Sequence, residues 1–154
     1  MCSLRKEEIM KIQTKVTDIT HEDLVNLFST ATYQSNWLSI SIPREDKTTI
    51  HKADCLEDMW AKVILEGKPL YMTDYYAEDS DDSYGKLPHE WVEGYMRYTF
   101  TLEDIKKGIS KALDSDDYIA ECIHHLADDD CCEFDNPQAE AIMQYIIFGE
   151  EIYG

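Results

Sequence analysis

Residues 112–154 hold twelve Asp and Glu and no Lys or Arg. Nine of those acids lie within residues 114–135, DSDDYIAECIHHLADDDCCEFD. Like charges at this density repel one another and work against any compact state. The segment can fold only with its apolar positions on one side and its carboxylates on the other. Ile119, Cys122, Ile123 and Leu126 recur at helical spacing, which supplies the inward side. Asp114, Asp117 and Glu121 stand at i, i+3 and i+7, one side of a helix if they share one.

The whole chain of 154 residues carries a net charge of −18. Nucleic acid and anionic membranes need clustered cations in their partners, so both are excluded as direct ligands. Basic protein surfaces are the complementary class. Hydrophobic residues make up 44% of the chain, too many for a disordered polymer. The length suits one domain over residues 1–154. MCSLRKEEIMK has no apolar core of a signal peptide, and no run is long enough to span a membrane. Five Cys without framework spacing read as reduced thiols. A cytoplasmic location is therefore expected.

Alternation and helical periodicity divide the chain. Residues 10–18 alternate as a strand with one solvated face. Thr20 caps a helix over 21–33, with Asp23 completing a capping box. Residues 37–42 form a strand ended by Pro43. A helix over 55–66 stops at Gly67 and Pro69. Residues 70–76 form a third strand, and 77–90 a long acidic loop. The fourth strand covers 92–100, with Gly94 marking a bulge or close approach. Thr101 caps a helix over 102–113, a further helix covers 117–127, and Asn136 at N-cap with Pro137 at N1 starts one over 137–148 that Gly149 closes. The order implies an α+β fold: a mixed, mainly antiparallel sheet of about four strands with about five helices, mainly on one face. The expected core contains Leu27, Ile40, Trp60, Ile64, Met96, Ile105, Ile109, Ile123, Ile142 and Ile146.

No reaction chemistry stands out. Cys122, His124, His125, Cys131 and Cys132 are zinc-ligand types, but C-x-H-H-x5-C-C matches no usual zinc pattern. Cys122 also falls on an apolar helix face, so free Cys and surface His are the preferred reading. The runs at 79–82 and 128–130 lack the alternation, central Gly and final Glu of a calcium loop. There is no nucleophile elbow, P-loop or dinucleotide fingerprint. The aromatic series Tyr71, Tyr75, Tyr76, Tyr84, Trp91, Tyr95 and Tyr98 reads as cross-strand packing. A pocket of such residues between sheet and helices, for a small ligand or a small enzyme's substrate, is the alternative. No cofactor, metal or catalytic residue is expected.

The acidic surface remains. Asp114, Asp116, Asp117, Glu121, Asp128, Asp129, Asp130, Glu133 and Asp135 form the expected partner-binding band, with Asp79, Asp81 and Asp82 as additions. NPQAEAIMQYIIFGEEIYG, with Phe148-Gly149-Glu150 and Tyr153-Gly154 at its end, resembles the ending of a family of short acidic proteins of bacteriophages and mobile elements. The helix starts Ile19-Thr20-His21-Glu22-Asp23-Leu24 and Phe100-Thr101-Leu102-Glu103-Asp104-Ile105 are similar too. The resemblance covers most of the chain from Ile19 onward; the loop at 77–90 matches no family pattern. It implies a context in which small acidic proteins include many inhibitors of host defence, among them DNA mimics that occupy the nucleic-acid channel of a nuclease. The leading expectation is a non-enzymatic inhibitor of a nucleic-acid-binding defence effector such as a CRISPR nuclease. The partner would be a basic host protein in a bacterial cytoplasm. A homodimer is left open.

Overall fold

The computed structural model describes residues 6, 19–44, 55–78, 87–115, 117–127 and 134–153. Helix α1 (His21–Thr32) starts where the capping box places it. Thr20 N donates to Asp23 Oδ2 at 3.0 Å, and Asp23 N donates to Thr20 Oγ1 at 3.2 Å. Two backbone N–H groups that lack intrahelical partners are thereby satisfied. Leu24, Leu27, Phe28 and Ala31 form its buried stripe.

The second helix, α2 (Leu56–Leu65), ends in a Schellman turn. Gly67, at φ 86°, donates to Ile64 O, and Lys68 N reaches Val63 O. Only glycine adopts that φ without strain, so Gly67 sets the stop. The third, α3 (Leu102–Ser115), repeats the capping box between Thr101 and Asp104. Helices α4 (Asp117–Ala127) and α5 (Asn136–Phe148) follow.

Among the described residues, four antiparallel strands form one sheet in the order β1-β2-β4-β3. They are β1 (Leu38–Ser41), β2 (Leu70–Asp74), β3 (His89–Val92) and β4 (Tyr95–Phe100). Ile40 lies opposite Met72, and Met72 opposite Tyr98. Alternation sends Leu38, Ile40, Leu70, Met72, Met96, Tyr98 and Phe100 into the core. The other face carries Tyr71, Tyr75, Tyr95 and Arg97, with the Arg97 guanidinium 3.9 Å from the Tyr71 ring centroid. The fold is α+β, and all ten expected core residues are buried.

Two expectations need correction. The stretch expected as one strand from 92 to 100 is a hairpin, and its first strand takes His89 and Glu90 from the expected loop. Glu93 and Gly94 have φ of 52° and 89°, so Gly94 makes the second residue of a two-residue turn rather than a bulge. Asp135, not Asn136, is the N-cap of α5, and its carboxylate accepts from Gln138 N at 3.2 Å. The expected strand at 10–18 lies outside the described residues.

Helices α3 and α5 pack through Gly108. A Cβ there would lie 2.5 Å from Ile146 Cα, so the absence of a side chain lets the two backbones meet. No helix among the described residues is long and apolar enough to cross a membrane.

Candidate functional site

Gln144 is a polar residue in a helix whose neighbours Ala139, Ala141, Ile142, Met143, Ile146 and Ile147 are buried. It is itself only 2% exposed. Its Oε1 accepts from Ile152 N at 2.8 Å and Tyr153 N at 2.7 Å. Its Nε2 donates to Tyr153 O at 3.1 Å. A buried amide with these partners is satisfied, and the three bonds fold the C-terminal tail back on α5.

The tail carries Tyr153 beneath the end of the sheet. Its ring meets Trp37 edge-on at 5.0 Å and Tyr76 at 5.7 Å between centroids. Its hydroxyl donates to Asp74 Oδ2 at 2.7 Å. Asp74 is fully buried at the end of β2 and also accepts from Tyr76 N at 2.9 Å. Burial raises the Asp74 carboxyl above its ordinary 3.8, and the bonds from Tyr153, Tyr76 N and Ala77 N pull part of the way back.

Above this floor opens a cleft of about 470 Å³. The α1–β1 connection contributes Gln34 and Trp37, α5 contributes Glu140 and Gln144, and the tail contributes Glu151 and Tyr153. Trp37 Nε1 donates to Glu140 Oε2 at 2.8 Å, joining residues 103 positions apart. Tyr76 and Tyr118 also line the cleft and are 52% and 50% exposed. The Tyr118 hydroxyl is pushed up to about 12, first by burial, then by Cys122 and by the charges of Glu151 and Asp135. Among the described residues no Lys or Arg lines the cleft.

Asn136 also lines the cleft, in a role other than helix capping at its own N-terminus. Its Nδ2 faces the end of α1, donating to Thr30 O at 3.0 Å and lying 3.2 Å from Ala31 O and 3.4 Å from Tyr33 O. It ties the orphan carbonyls of α1 to the start of α5.

The expected acidic band divides. Asp114 is exposed near the end of α3, and Asp135 is exposed as the α5 cap. Glu121 is half-buried on α4, 3.6 Å from His125 Nε2. Asp117 opens α4. Asp79, Asp81, Asp82, Asp116, Asp128, Asp129, Asp130 and Glu133 lie outside the described residues. Cys122 is buried, whereas His125 Nδ1 meets Gln138 Oε1 at 2.8 Å on α5. Among the described residues no group of three or more His, Cys, Asp or Glu is arranged to hold a metal ion.

Sequence reasoning missed Glu140, Gln144, Glu151 and Tyr118 as residues of one cleft. The signal for Gln144 was its polarity inside an apolar run. The described members of the aromatic series separate: Tyr98 in the core, Tyr71, Tyr75 and Tyr95 across the outer face, Trp91 partly exposed on β3, and Tyr76 at the cleft; Tyr84 lies outside the described residues. No family model, curated protein or solved structure matches the chain.

Proposed function

We propose that this protein is a non-enzymatic acidic binder that docks on a basic, nucleic-acid-binding host protein and blocks it, as an inhibitor of a defence nuclease does. The charge distribution carries this reading. Asp114, Glu121, Asp135, Glu140, Glu150 and Glu151 are exposed or half-exposed along α3, α4, α5 and the tail. No Lys or Arg follows Lys111 in the sequence. A predominantly acidic surface steers a basic partner and fixes its register.

Capture from bacterial lysate after nuclease treatment tests the proposal, followed by nucleic-acid binding by the captured protein. The expected result is a basic protein that loses nucleic-acid binding when this chain is present. Its capture should weaken as salt shortens the Debye length from ~10 Å at 0.1 M to ~3 Å at 1 M. Replacing Asp128, Asp129 and Asp130 by Asn should weaken it further. A captured protein that binds nucleic acid equally with and without the chain would reject the inhibitory reading.

A further inference from the structure

Among the described residues, the cleft beside α5 combines two carboxylates from separate elements with four aromatic rings and no cation. We propose that this cleft receives the guanidinium group of an arginine side chain presented by a protein partner. The inference rests on the reading above that the partner is a basic protein, and it names what that partner inserts.

The volume of about 470 Å³ lies in the range of sites that enclose a ligand group. Glu140 is held in direction by Trp37 Nε1 on its Oε2, which leaves its Oε1 as a second acceptor. Glu151 lines the cleft from the tail, so the two carboxylates come from separate elements. A planar guanidinium offers five N–H donors in a fixed fork and can meet carboxylates in more than one direction. It is weakly hydrated and stacks on aromatic rings, and Tyr76 and Tyr118 line the cleft about half-exposed.

The cleft is also organised before any ligand arrives. Gln144 fixes the tail through three hydrogen bonds, and Asp74 fixes the Tyr153 ring from below. Little ordering is left for binding to accomplish, which raises affinity at a given contact area. An ammonium group has the charge but is compact and strongly hydrated, so it gains less from the rings.

The test uses the peptide Gly-Gly-Arg-Gly-Gly and its lysine counterpart, followed by nuclear magnetic resonance on the full chain. Salt at about 0.15 M screens the general field over ~8 Å. The arginine peptide should cause saturable shifts at the Trp37 indole N–H and the amides of Tyr76 and Glu151. A double variant, Glu140→Gln with Glu151→Gln, keeps an acceptor for Trp37 and should bind at least tenfold more weakly. Equal affinity for the lysine peptide overturns the guanidinium assignment. So do shifts spread over the whole acidic surface, or no saturable shift. If the double variant still captures the basic partner with full affinity, the cleft inference fails and the partner reading stands. If the arginine peptide binds the cleft but no basic protein is captured, the partner reading fails and the cleft's recognition of guanidinium stands.

Discussion

Tyr153 donates its phenolic hydrogen to Asp74 Oδ2 at 2.7 Å, joining the penultimate residue to the end of β2. Asp74 is fully buried, so this bond satisfies an oxygen that water does not reach. Tyr153→Phe removes the donor and leaves the carboxyl in place. A buried polar group that loses its partner costs about 1–3 kcal/mol, more if charged. Chemical denaturation should show a loss of at least that size, and an unchanged midpoint would mean that Asp74 finds water or another donor.

The same carboxyl governs a pH dependence. Its folded value is raised above the ordinary 3.8, chiefly by burial. The native state therefore keeps this proton at pH values where the unfolded chain has lost it. By linkage, the stability from Asp74 is complete below 3.8 and declines as pH rises through the folded value. Asp74→Asn removes that titration while Oδ1 still accepts from Tyr76 N. Unfolding free energies of the two proteins from pH 4 to 7 should diverge, with the variant losing less stability as pH rises. Parallel curves would contradict the raised value.

The elements were legible because their signals are local. Thr20 with Asp23, Gly67 before Pro69, and Thr101 with Asp104 each place a helix end within a few residues. The β3–β4 hairpin was misread because Glu93-Gly94 interrupts a run whose alternation continues on both sides. Asn136 was misread for a different reason. Asp135 and Asn136 are both good caps by residue type. Only the approach of α1 decides that the Asn side chain bridges to the other helix. The cleft was illegible as a unit because Trp37 and Glu140 are 103 residues apart, and no spacing rule reaches that far.

Gly108 illustrates a packing constraint that periodicity does not express. Gly108→Ala should gain about 1 kcal/mol of helix propensity. Against this, the new Cβ would stand 2.5 Å from Ile146 Cα and 2.9 Å from Ile146 N, both backbone atoms that cannot rotate away. Overpacking costs about 1–3 kcal/mol and more where backbone must shift, so the clash wins. The variant should melt below the parent. A rise in melting temperature would show that α3 and α5 separate freely.

Gln144 decides whether the tail belongs to the fold. Gln144→Leu keeps the residue's approximate volume but removes an acceptor for two backbone N–H groups and a donor to Tyr153 O. Ile152 and Tyr153 then regain their hydrogen bonds only by reaching water, which lifts the tail away from α5. The loss should be about 1–3 kcal/mol, because the exposed amides recover part of what they give up. Amide hydrogen exchange at Ile152 and Tyr153 should accelerate far more than in the middle of β2 or α5, since opening of the tail is local. Binding of an arginine peptide should fall with it, because Tyr153 and Glu151 leave the cleft together. Unchanged protection at both amides would show that the aromatic contacts of Tyr153 with Trp37 and Tyr76 hold the tail without Gln144.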